Sequence, residues 1–404
     1  MSENEGTFII VGMSLAGLRA AETLRRAGHT GPIIAVSGET HDPYDRPPLS
    51  KDLLAGDREP DDIVLRSDGA GDLGLEWRRG AHATALDVDA RMLTLDDGSE
   101  LHYDGLVLAT GATPRRLPLD VCPPALGGVH ELRTLDDALA LRGALDAGPR
   151  RVCVVGAGFI GAEVAATCRG RDLDVTVLEA LDQPMVRGLG VQLGAVCAQL
   201  HRDHGVDLRL GVEIAAVEGS SRVERVVLAD GTAVECDVVL VGIGVVPNTS
   251  WLEGSGLTLD NGVLCDASCL AAPHVVACGD VARWPNPLFD DELMRLEHWT
   301  NATEQAVHAA DRLVSGIANP FGPVPFVWSD QYDCKIQSVG RFDARDAFEI
   351  AHGDVESRKF VAIFERNGRI SGALGFTQPR HVMRYRALIA RRATFDEALE
   401  YARG

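Results

Sequence analysis

At 404 residues the chain is too long for one ordinary hydrophobic core and implies two or three domains. Its content of 46% hydrophobic and 24% charged residues is that of a globular protein, and a net charge of −20 argues against general binding to nucleic acid or to an anionic membrane. Both would require basic stripes to neutralise phosphates. No stretch approaches the roughly 18 to 20 apolar residues of a membrane span, and Glu3 and Glu5 stand where a secretory leader would be basic, so a cytoplasmic location is expected.

In chain order, the first elements are a strand over 7–11, a helix over 15–27 stopped by Gly28, and a second strand, PIIAVSGE, ending on Glu39. The loop joining the first strand to the helix reads GMSLAG. Gly12 and Gly17 frame it, but Ser14 replaces the middle glycine of a dinucleotide-binding loop. Ser14 is small, and its hydroxyl can reach a phosphate oxygen or an ordered water, so a tolerated substitution with a slightly displaced backbone is expected. The same grammar returns, intact, over 150–168: a β-branched strand, then Gly156, Gly158 and Gly161, then a helix. Each glycine has a job: a tight turn, backbone approach to a pyrophosphate, and close helix packing. The following strand, DVTVLEA, carries Glu179, 23 residues past Gly156, where a carboxylate accepts hydrogen bonds from a ribose 2′-OH and repels a 2′-phosphate. NADH is therefore preferred; Arg187, eight residues on, is the one feature favouring NADPH, and a solvated side chain is the favoured reading of it.

Each copy continues alike. A hairpin turning at Asp97-Gly98 leads to a strand over 105–110 entering Thr110-Gly111; a hairpin turning at Asp230-Gly231 leads to a strand entering Gly242-Ile243-Gly244. An internal duplication follows, and two copies mean two dinucleotides. The strand HVVACGDVA ends at Gly279-Asp280, where a carboxylate can cap a helix. Beyond about residue 320 the texture becomes a small antiparallel sheet with closing helices. The expected fold class is α/β, with two Rossmann-like dinucleotide-binding domains plus a C-terminal α+β domain. Nine scattered cysteines form no C-x-x-C pair, and Cys265 and Cys269 lack further ligands at metal spacing, so they read as small buried hydrophobes and no metal site is expected.

Seven segments in order, PYDRPPLSK, LVLATGATPR, VVGAGFIGAEVAA, VGIGVVPN, ACGDVA, EHWTNATEQA and WSDQYD, resemble the FAD-dependent, NADH-using ferredoxin reductases of the putidaredoxin reductase type. These belong to the wider glutathione-reductase-like flavoproteins and serve cytochrome P450 and ring-hydroxylating oxygenase systems. The resemblance implies an FAD domain over 1–115 and 248–320, an NAD domain over 116–247 and a C-terminal domain over 321–404. It places FAD against Gly12, Ser14, Leu15, Ala16, Gly17, Glu39, Arg46 and Lys51. Further along it adds Ala83, Ala109, Thr110, Gly111, either Arg115 or Arg116, Gly279, Asp280, Trp299 and Trp328. NAD falls to Gly156, Gly158, Phe159, Ile160, Gly161, Glu163, Glu179, Arg187 and Gly244. Lys51, one of three lysines in the chain, is expected beside the flavin and Glu163 near the nicotinamide, as the catalytic pair. The bland readings are a solvated loop lysine and a glutamate that merely favours a helix N-terminus. Trp299 and Trp328 read equally as core packing.

Rival chemistries diverge at the cysteines. Disulfide reductases and NADH peroxidases of the superfamily need a thiol after the second strand, and none lies between Glu39 and Leu65. Rubredoxin reduction remains an alternative. So does a flavin- and NADH-binding interaction protein of the apoptosis-inducing-factor kind, although the chain lacks that group's basic surface. For a [2Fe-2S] ferredoxin, itself acidic, a local basic surface is needed. Arg380, His381, Arg384, Arg386, Arg391 and Arg392 fall within 13 residues of the closing helical segment, and with Arg312 they form a candidate dock. The competing reading is a solvated face balanced by Asp396 and Glu397. Monomer and homodimer are both compatible with the family.

Overall fold

The computed structural model describes residues 5–66, 72–343 and 346–403, with the side chains of 186–188 outside the description. By internal contact the chain divides into two units, Met1–Asp45 with Val64–Thr113 and Val246–Val327, and Arg46–Ile63 with Pro114–Val245 and Trp328–Gly404. Where the sequence implies three domains, this division groups Pro114–Val245 with Trp328–Gly404 and adds Arg46–Ile63 to them.

In the first unit, apolar runs of four and five residues form Phe8–Val11 and Ile33–Ser37, buried along their whole length as central parallel strands are. They lie in a six-stranded sheet ordered 270–272, 275–277, 105–108, 8–11, 33–37, 75–79, parallel except for its first pair. The edge strand Leu75–Arg79, LEWRR, has no apolar run to betray it; its charges face outward, as an exposed edge requires. Helix Leu15–Arg26 packs against helix Trp299–Ser315. Fully buried Ala20 and Ala21 on one and Ala306, Ala309 and Ala310 on the other let the two backbones approach. The strand expected to end on Asp280 stops earlier, at Ala277, and Gly279–Val281 forms a single 3-10 turn.

In the second unit a five-stranded parallel sheet runs 207–210, 174–179, 151–155, 238–241, 129–130. Helix Phe159–Gly170 follows the central strand. Arg46–Ile63 is tied to that helix and its exit: Thr167 Oγ1 donates to the Ser50 carbonyl at 2.7 Å and Arg171 Nη1 to that of Leu54 at 2.8 Å. The C-terminal sheet is antiparallel where its register is defined, ordered 326–331, 334–340, 369–376, 359–366, 348–354, with helices Pro379–Ala390 and Phe395–Arg403 against it. No helix among the described residues is long and apolar enough to cross a membrane.

Candidate functional site

The two glycine loops are built to one plan. Gly12 has φ +98° and a side-chain carbon there would lie 2.3 Å from the Ala109 carbonyl oxygen; Gly156 has φ +97° and would meet that of Gly242 at 2.4 Å. At the third position, carbons on Gly17 and Gly161 would lie 2.0 Å from the carbonyl oxygens of Gly12 and Gly156. These four glycines answer to the protein's own packing. Gly158 does not: its φ is −76° and nothing stands within 4 Å of an added carbon. The open space there would admit a pyrophosphate, so the loop fits a dinucleotide. Ser14 occupies the matching place, with φ −89° and ψ −156° against −76° and −174° at Gly158. Each opens its helix without a side-chain cap, which leaves the first-turn N–H groups of Leu15 and Ala16, and of Phe159 and Ile160, directed at the loop. Ile160 is exposed and Phe159 half-buried.

In the first unit the remaining residues are tied to partners distant in sequence. Gly279, with φ +73°, lies so near that an added carbon would meet Ala16 Cβ at 3.2 Å, and its N–H donates to Gln305 Oε1 at 2.9 Å. The carbonyl of the following residue, Asp280, accepts from Arg295 Nη1 at 3.1 Å. Thr110 and Asn248 clasp each other: Thr110 Oγ1 donates to the Asn248 carbonyl at 3.1 Å, and Asn248 Nδ2 to that of Thr110 at 2.8 Å. The Gly111 carbonyl takes the Asn248 N–H. Tyr44 donates to Glu39 Oε2, and Trp299 Nε1 to Asp45 Oδ1 at 2.7 Å. The indole thus has the polar partner that a buried tryptophan N–H requires. His298, which precedes it, is pushed down to about 4 by burial, against the pull of Asp280, and is neutral at pH 7. Ala83 opens a strand at half-burial.

In the second unit Glu163 is 4% exposed and receives three side-chain donors. Ser50 Oγ and Lys51 Nζ each reach Oε2 at 2.6 Å, and Ser329 Oγ reaches Oε1 at 2.7 Å. Lys51 also reaches the Pro47 carbonyl at 3.3 Å and is 18% exposed. It is no solvated loop lysine, and Glu163 does more than decorate a helix end. Glu179 accepts from the Ala157 N–H at 2.7 Å and from the Leu181 N–H at 2.9 Å, which fixes the carboxylate against the glycine loop. Its oxygens retain lone pairs for ribose hydroxyls. The Gly244 carbonyl accepts from the Arg115 N–H at 2.8 Å. Arg116 is 78% exposed in an ion pair with Glu131, and Arg46 Nη1 donates to the Arg133 carbonyl. Trp328 is half-buried in its strand, and the Arg187 side chain lies outside the described residues.

The basic residues fall in both units. Arg312, in the first, donates to Ser268 Oγ at 3.1 Å. In the second, Arg391 pairs with Glu397 at 2.9 Å, Arg384 lies over the Tyr401 ring at 5.7 Å, and His381 holds the Tyr401 hydroxyl at 2.9 Å. The acid expected to balance Arg391 does so. All nine cysteines are free and eight are buried; burial pushes the Cys168, Cys265 and Cys278 thiols up to about 12, far from the thiolate a redox thiol needs.

Two nucleotide loops of one design, with a cation held on a buried carboxylate, define a two-dinucleotide oxidoreductase. Residues 6–306 match the pyridine nucleotide-disulphide oxidoreductase family and 326–401 the reductase C-terminal family. The chain is 38% identical over 386 residues to the 5,5'-dehydrodivanillate O-demethylase ferredoxin reductase subunit of Sphingobium sp., covering 94% of this chain and 92% of that one. It is 37% identical to the ferredoxin–NAD(+) reductase component of the anthranilate 1,2-dioxygenase system of Burkholderia cepacia, over 96% and 95% of the two chains. Its structure matches that of putidaredoxin reductase in covalent complex with putidaredoxin, with a TM-score of 0.90 at 33% identity, covering 96% and 93% of the chains. The chain belongs to the pyridine nucleotide-disulphide oxidoreductase family, which uses a flavin and a pyridine nucleotide, and within it to the ferredoxin reductases.

Proposed function

We propose that this chain carries electrons from NADH through FAD to a [2Fe-2S] ferredoxin serving a cytochrome P450 or a ring-hydroxylating oxygenase. The observation that carries the reading is the Lys51–Glu163 pair, placed at the start of the helix that follows the intact nucleotide loop. FAD would supply the step from two-electron hydride chemistry to one-electron transfer that NADH and an iron-sulfur acceptor require. The chain's residues do the holding. In this reading Gly12, Ser14 and the helix start at Leu15 take the FAD pyrophosphate, Gly279-Asp280 the ribityl chain, and Trp299 the ring. Lys51 presents a fixed ammonium whose positive charge stabilises negative charge gained on reduction. Glu163 holds that ammonium in place, and the two serines on Glu163 hold the carboxylate.

Glu179 decides the nicotinamide cofactor. Its anchored carboxylate accepts ribose hydroxyls and opposes a 2′-phosphate. Glu179→Ala should raise the KM for NADH by about tenfold, the loss of a charge-assisted hydrogen bond, and narrow the preference for NADH over NADPH measured in the same assay. An unchanged preference would remove Glu179 from cofactor choice.

For the acceptor, we place the dock at Arg384 and Arg391, on the closing helical segment of the second unit. Reversing charge at Arg384 and Arg391 should cut ferredoxin-dependent turnover about tenfold at low salt and flatten its salt dependence, while NADH-ferricyanide activity stays. A salt dependence equal to that of the parent would place the dock elsewhere. The reading as a whole is tested by NADH-driven cytochrome c reduction with a [2Fe-2S] ferredoxin or a rubredoxin as mediator. Mediation by the ferredoxin supports it; mediation by rubredoxin alone makes the chain a rubredoxin reductase, and reduction through neither favours a flavin- and NADH-binding interaction protein.

A further inference from the structure

The strand Phe326–Gln331 carries two polar side chains, Ser329 and Gln331, that are both 0% exposed. Two residues apart on a strand, they face the same way. Hydroxyl and amide groups in a protein interior are costly unless a partner repays the lost water, and an apolar pair would serve the sheet as well. Their partners show what they hold. Ser329 has a single hydroxyl proton, and it goes to Glu163 Oε1 at 2.7 Å. The serine oxygen therefore has only lone pairs left, and the Gln331 amide must present its NH2 group, which donates to Ser329 Oγ at 3.1 Å. That orientation leaves Gln331 Oε1 buried with no partner among the described residues. A network that tolerates an unmet acceptor in order to point one hydroxyl is built around the group it points at.

We infer that Ser329, locked by Gln331, is a positioning residue for the Glu163 carboxylate, through which the C-terminal domain sets the charge at the hydride site. All five side chains involved lie in one unit. Glu163 Oε2 carries Ser50 and Lys51, whereas Oε1 has Ser329 as its one side-chain donor among the described residues. Held from both oxygens, the carboxylate plane cannot turn. Released at Oε1, it can rotate, and the Lys51 ammonium loses the fixed anchor that aims it. Ser329 acts only through Glu163 and Lys51 and touches no reacting atom in this account. The inference rests on the proposed role of Lys51 at the flavin.

The test uses the flavin-loaded protein and two readouts other than turnover: the midpoint potential of the flavin, and the single-turnover rate at which NADH bleaches it anaerobically, per flavin. Ser329→Ala should slow bleaching about tenfold and move the potential to more negative values, while Ser329→Thr, which keeps the hydroxyl, should restore both. In a Lys51→Met background the same serine change should add little, because the group it positions is gone. A role in packing alone would lower thermal stability and flavin content yet leave rate per flavin and potential untouched, and that result overturns the inference. So does a full tenfold loss in the Lys51→Met background. Should Ser329→Ala fail to fold, Gln331→Met serves: loosening the lock should cost about threefold in bleaching rate, and no loss overturns the inference. A parent protein that NADH does not bleach at all would instead overturn the function proposed for the chain, before Ser329 is in question.

Discussion

Lys51→Met is expected to slow anaerobic bleaching of the flavin by NADH on the order of a hundredfold, the usual loss when one preorganised electrostatic group is removed from developing charge. Methionine keeps the length and apolar stem of the side chain and removes only the ammonium. The Glu163 carboxylate then stays buried with Ser50 and Ser329 as donors. Because those two remain, the stability lost should be about 2 kcal/mol, below the roughly 3–5 kcal/mol of a buried charge stripped of its partner. Stopped-flow absorbance gives the rate and a thermal melt the stability. A variant that bleaches at the parent rate would leave Lys51 as a structural pair of Glu163 and nothing more.

A second large effect separates what the fold needs from what the ligand needs. Gly161→Ala drives a carbon to 2.0 Å from the Gly156 carbonyl, inside the loop's own backbone, and should cost at least about 3 kcal/mol. Gly158→Ala meets nothing within 4 Å and sits at an ordinary φ of −76°, so the melting temperature should hold. Its methyl group nevertheless occupies the approach of the pyrophosphate, and the KM for NADH should rise at least about tenfold, the equivalent of one lost hydrogen bond to a charged group. Paired melts and NADH kinetics check both. Loss of stability in Gly158→Ala with unaltered NADH kinetics would refute the assignment of this loop to NAD.

The nucleotide loops were legible because their constraints are local: a strand, a positive φ, and a helix that must come close leave glycines at fixed spacing. Glu179 was legible for the same reason, since its distance from Gly156 follows from one strand-helix-strand unit. The surroundings of Glu163 were not. Ser50, Ser329 and Gln331 lie 113, 166 and 168 residues from it in the chain, and a serine inside RPPLSK or WSDQ gives no sign of pointing at a glutamate. Asn248, Gln305 and Asp45, which anchor Thr110, Gly279 and Trp299, escaped notice likewise. The strand Leu75–Arg79 was missed because edge strands advertise charge rather than an apolar run. Arg391 shows the converse limit: a row of arginines is visible in the sequence, while its pairing with Glu397 depends on how two short helices close on one another.

The most direct measurement is an anaerobic titration of the purified protein with NADH, followed by addition of oxidised [2Fe-2S] ferredoxin. The account predicts a yellow protein whose flavin bleaches with a stoichiometric amount of NADH and recovers its colour as the ferredoxin is reduced. A colourless protein, or a flavin that bleaches and then passes nothing to any ferredoxin, would contradict it.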